Sequence, residues 1–186
     1  MKNWLFNPFI YVAGSRALLI GLAAMAITAL IGLYSHTHFD GAIDIHTGKI
    51  STLSVHLLEQ LIVWGTTAGL FYIAGLLFSG SIIRLIDVAG TMALARWVTI
   101  FPAALGFLLH VPDTQPQTVA EIMKLLTPGF IAVGLLSVVF VIWMVALMYN
   151  AFTVSCNLKG SKATGTFIIT LILAETISSL AIHYFL

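Results

Sequence analysis

Apolar positions in this chain follow neither the 3.6-residue period of a half-buried helix nor the alternation of a half-buried strand. They run on without break for lengths that cross a bilayer, which takes roughly 20 residues of helix. Five such runs stand out, at 17–34, 57–78, 93–110, 128–148 and 165–185, separated by segments where polar residues, Gly and Pro gather. Their continuity and their Leu, Ala and Ile content predict helices, since a membrane barrel would need short alternating segments. The predicted fold is all-α, a polytopic membrane protein with one five-helix bundle over residues 1–186. Pro102 inside the third run is expected to kink it, and Cys156 is expected in a loop.

Two shorter stretches read as interfacial. Residues 1–16 carry Trp4, Phe6, Phe9 and Tyr11, whose rings suit the headgroup level. Ser81 to Val88 sets Ile82, Ile83, Leu85 and Ile86 around Arg84 and Asp87, which predicts a short amphipathic helix with the two charges paired on one face. Glycines at Gly65, Gly69, Gly75, Gly134 and Gly165 are expected to serve close helix packing or flexibility.

Composition strengthens the membrane reading: 60% of the 186 residues are apolar and 8% charged, with a mean hydropathy of +1.05, where soluble domains carry about 25% charged residues. A net charge of +1 with no Lys/Arg run offers nothing to a nucleic acid. The expected partners are the lipid bilayer and other membrane proteins or further copies of the chain. Met1 to Arg16 lacks the pattern of a cleaved signal, so the first span is expected to remain.

Basic residues set the expected orientation. With the N-terminus in the cytoplasm, Lys2, Arg16, Arg84, Arg96, Lys159 and Lys162 lie at or near the inner face, and only Lys49 and Lys124 lie outside. An odd number of spans then puts the C-terminus outside. The expected location is a bacterial inner membrane.

The third span opens with Gly90-Thr91, continues through Ala93-Leu94-Ala95-Arg96-Trp97 and reaches Pro102. Trp143 stands near the end of the fourth, followed by Tyr149-Asn150-Ala151, then Lys159-Gly160-Ser161-Lys162-Ala163 and a fifth apolar span. In this order the chain resembles the bacterial branch of the Yip family of integral membrane proteins, whose eukaryotic relatives bind Rab-type GTPases. The resemblance implies a five-helix bundle with a cytosolic N-terminus, and membrane organisation or transport without a defined reaction. The Asp-Leu-Tyr-Gly-Pro motif and the long N-terminal region of the eukaryotic relatives are absent from the sequence, so no GTPase partner carries over.

Candidate chemistry gathers on one face. Under the predicted topology His36, His38, His46, His56, His110 and His183 all fall outside, accompanied by Asp40, Asp44 and Glu59. Imidazole and carboxylate are the ligands that zinc or another divalent metal takes where thiolate is lacking; three protein ligands leave a catalytic position, four close a structural site. His36, His38 and Asp40 alternate, so an extended strand would aim them to one side. His56 and Glu59 would share a helix face, and Glu59 or Asp44 would serve as acceptor or base. Histidine also suits a membrane interface and no HExxH spacing closes the set, so ligation and interfacial placement both stay open.

Within the spans Glu175 is the clearest ionisable residue, with Ser178 and Ser179 one turn on. It reads either as an interhelix hydrogen-bonding group or as part of an ion path. Arg96 is expected to snorkel to the inner face, with a reach toward Glu175 as the alternative. A membrane-organising protein agrees best with these features; a small transporter or channel using Glu175 and a metal-dependent membrane enzyme are the other readings. No catalytic triad, phosphate loop or flavin fingerprint is present in the sequence.

Overall fold

The computed structural model describes residues 2–48, 51–109, 123 and 126–186. Helix α1 (Lys2–Phe6) and a 3-10 turn at Pro8–Ile10 lead into α2 (Gly14–Ser35). Two-residue strands β1 (Thr37–His38) and β2 (His46–Thr47) pair antiparallel, His38 opposite His46. Then come α3 (Leu53–Phe78), α4 (Leu85–Ala95), a 3-10 turn at Arg96–Thr99, α5 (Ile100–Leu105), a second such turn at Gly106–Leu108, α6 (Pro128–Cys156) and α7 (Gly160–Phe185). Among the described residues five helical stretches are long and apolar enough to cross a membrane: α2, α3, the composite Leu85–Leu108, α6 and α7.

Several helices run beyond the expected apolar stretch because polar residues continue them. Leu53 to His56 begin α3, Tyr149 to Cys156 finish α6, and Gly160 to Thr164 begin α7. The expected separate amphipathic helix at Ser81–Val88 is corrected: Arg84 stands just ahead of α4, and Leu85 starts the third span itself. Its Asp87 occupies the first turn, where the helix dipole favours an acid. Pro102 has no N–H for the carbonyl four residues back, and the 3-10 turn ending at Thr99 includes that carbonyl, Val98. Cys156 is not in a loop. It closes α6 and is fully buried.

Helix packing rests on other glycines than the sequence singled out. A side chain at Gly21 would run into the backbone of Ala93 and Leu94, and one at Gly90 into the carbonyl of Gly14, so α2 and α4 cross with their backbones nearly touching. Gly65, Gly69, Gly134 and Gly165 face open space; of the five expected, Gly75 alone packs closely, against Cys156. The core fills with Phe71, Phe152 and Phe167, whose ring centroids lie 5.1 to 6.3 Å apart. Residues 4–12 lie against α6: Trp143 Nε1 donates to the Leu5 carbonyl and Asn150 Nδ2 to that of Phe6. Phe9 is buried.

Candidate metal centre

The left-handed turn of His36 (φ 54°) stops α2 and sends the chain back across the end of the bundle. That turn breaks the extended run expected to align His36, His38 and Asp40. Only Thr37 and His38 are in β1, and the segment 39–45 that follows dips between the helices before β2 returns. Gly106 makes room for this entry, since a Cβ there would meet the Thr37 hydroxyl and Ser35.

His38, His56 and Glu59 come together, each offering a ligand atom within 4.8 Å of the others. All three are buried, at 8%, 2% and 3% exposure. His38 Nδ1 lies 2.7 Å from Glu59 Oε1, and His56 Nδ1 lies 3.7 Å from Oε2. Oε2 also accepts the Phe39 N–H at 3.3 Å. The His38 ring stacks on His56 at 4.5 Å and on His46 at 5.6 Å, forming a pile of three imidazoles.

The nitrogens of His56 play different parts. Its Nε2 is 3.0 Å from the Ser51 hydroxyl, whereas its Nδ1 is buried without a hydrogen-bond partner. The Ser51 hydroxyl can donate to Nε2 or accept from it; in the tautomer where it accepts, the Nδ1 lone pair is left for a cation beside Glu59, the arrangement outer partners give zinc-binding histidines. A tetrahedral zinc bound at about 2.0 to 2.1 Å sets its ligand atoms roughly 3.3 Å apart. The two separations straddle that value, and because the set as a whole spans up to 4.8 Å its widest pair would have to draw in for the three groups to become ligands. The donor set is borderline-hard nitrogen and oxygen, suited to zinc or another divalent cation.

The other expected ligands stand outside this group. His46 is exposed, with Nδ1 3.6 Å from Asp40 Oδ2, and burial raises the Asp40 carboxyl above its ordinary range against the lowering effect of His46. Asp44 is exposed and lines, with His46, Thr37 and Pro102, a cavity of about 420 Å³ between the hairpin, α5 and the first half of α6. His36 is half-buried, its ring Nδ1 without a hydrogen-bond partner. His183 is exposed near the end of α7, one residue from Ile182, which packs on Ala42. His110 lies outside the described residues.

Below the metal group the structure corrects the expectation for Arg96. It does not snorkel: it is 2% exposed, reaching the Ala42 carbonyl with Nη1 and Gln60 Oε1 with Nη2, both at 3.4 Å. Glu175 accepts the Ile43 N–H at 2.7 Å, and Ser178 donates within its own helix to the Ala174 carbonyl; Ser179 is half-buried beside it. Ser51 and Gln60 were not singled out from sequence. Gln60 is the more findable, a neutral polar residue next to Glu59 at the head of an apolar run. No protein family, curated protein or solved structure matches the chain.

Proposed function

We propose that the chain is a Yip-type, membrane-organising integral protein whose first inter-helix hairpin is pinned by a divalent metal, zinc foremost, at His38, His56 and Glu59. The observation that carries the metal reading is the convergence of three buried ligand-type side chains, with His56 Nδ1 lacking a hydrogen bond 3.7 Å from the carboxylate that already holds His38. A buried polar atom without a hydrogen bond costs about 1 to 3 kcal/mol, which a ligated cation would offset at this nitrogen. The ligands join β1 to α3, so the metal's part is to fix one element against another.

The enzyme reading is weaker because the triad is buried and the cavity beside the hairpin is lined, among the described residues, by none of its members. The orientation with the N-terminus inside is supported by Lys2, Arg16, Arg84, Lys159 and Lys162, Arg96 having left the count by its burial. It would put the metal centre on the outer face. The Yip resemblance is supported only by the residues that carry it, and here they pack the bundle: Gly90 on α2, Trp143 and Asn150 on the N-terminal segment.

Elemental analysis of the purified chain tests the reading. About one divalent metal per chain is expected, lost in His56→Ala, with affinity weakened about 10- to 100-fold in Ser51→Ala, which removes only the orienting hydroxyl. A metal-free preparation that takes up no zinc and melts at the same temperature in chelator would overturn it.

A further inference from the structure

Segments that link helices normally stay at the surface, where water satisfies their backbone groups. Residues 39–43 here do not, although Asp44 just beyond them is exposed. Phe39 and Ala42 are 1% and 0% exposed, and Ala42 packs with Val63 of α3 and with Ala174 and Ile182 of α7. Thr37 is level with Gly106, and Arg96 stands ten residues earlier in the same span. The tip carbonyl is met by the buried Arg96 side chain, so the segment enters the bundle rather than lying over its end.

Protein side chains take the place of water there. One peptide unit, between Ala42 and Ile43, has its carbonyl on Arg96 and its N–H on Glu175. A Cβ on Gly41 would collide with the Glu175 carboxylate, so only glycine lets the two approach. No ion pair among the described residues joins Arg96 to Glu175 directly; the hairpin tip lies between them as their shared partner. Arg96 Nε and Gln60 Nε2 are buried donors without acceptors, which makes this a polar layer enclosed by the tip rather than a sealed apolar core. Non-helical backbone at such depth is tolerated only where it is buried in protein or lines a water-filled space.

The start of the plug meets a metal ligand directly, and its tip meets one through the neighbouring residue of α3. Glu59 holds the Phe39 N–H, and Gln60, the next residue of α3, holds Arg96. We infer that the 39–45 segment is a plug latched by the metal centre: with metal bound the tip stays on Arg96 and Glu175, and metal loss frees it, opening the Arg96–Gln60–Glu175 layer to water and small polar solutes. This rests on the metal reading above, and the two can fail separately.

The test uses the full chain in lipid nanodiscs with Cys156→Ala, so that Ile43→Cys supplies the sole thiol, and a charged maleimide as the probe. Metal content is measured on the same sample, with Ala42→Cys as a second tip position should the first variant not fold. Labelling at the tip is expected to accelerate at least tenfold when zinc is removed by chelator, while Asp44→Cys, already exposed, labels at one rate throughout. Bound zinc with an unchanged tip rate would overturn the latch and leave the metal site standing. Absence of zinc binding would overturn both. Glu175→Ala is expected to speed tip labelling even with zinc present, and an unchanged rate there would overturn the plug itself.

Discussion

Two arginines of this chain teach opposite lessons about charge. Arg84 makes the better-shaped contact, a two-bond fork onto Asp87 at 2.7 and 3.0 Å, with the arginine side chain 71% exposed. Arg96 makes two long bonds of 3.4 Å, one to a backbone carbonyl, and is buried inside the bundle. Geometry alone would rank the first pair higher. Solvent reverses the order, because water can replace either partner of Arg84, and nothing can replace those of Arg96.

Removing one side of each arrangement is the direct way to break this comparison. Arg96→Ala takes the donor from the Ala42 carbonyl and Gln60 Oε1 and leaves the Glu175 charge without its nearby cation, and should cost about 3 to 5 kcal/mol. Thermal melting in detergent would read this, and the Arg96→Ala/Glu175→Ala double variant should lose less than the two single losses summed. Additive losses would mean that the two charges do not share the tip peptide. An apolar contact sharpens the scale: Gly21→Leu forces side-chain volume between the backbones of α2 and α4 and should cost about 1 to 3 kcal/mol or prevent folding, whereas Gly65→Leu, facing open space, should leave the melting temperature unchanged. At the small end, Arg84→Ala should shift the melting temperature by no measurable amount despite the shorter bonds it removes. A large shift would show that this end of the bundle is less accessible to solvent than its exposure indicates.

The same contrast explains what could be read ahead of the fold. His56 and Glu59 were legible as a pair because a helix puts positions three apart on one face wherever the helix lies. His38 was legible only as one histidine among several, since its place depends on the left-handed turn at His36 and on how far the next segment descends. Glu175 was visible as a charge in an apolar run, but its partner is a backbone N–H from residue 43, and backbone groups carry no sequence signature. Arg96 reads as a snorkelling residue because the uninterrupted apolar run begins at Ala93, eight residues after the helix does, and sets Arg96 near an end rather than at the middle of Leu85–Leu108.

By itself, then, the sequence determined the all-α architecture and the five apolar stretches, because transfer of apolar surface out of water depends on composition along the chain and needs no knowledge of neighbours. Which glycines let helices touch, which histidines meet a carboxylate, and that a connecting segment enters the bundle to hold two charges were decided by tertiary structure alone. Each depends on which groups approach within a few ångströms across long separations in sequence, and only the packed bundle sets those distances.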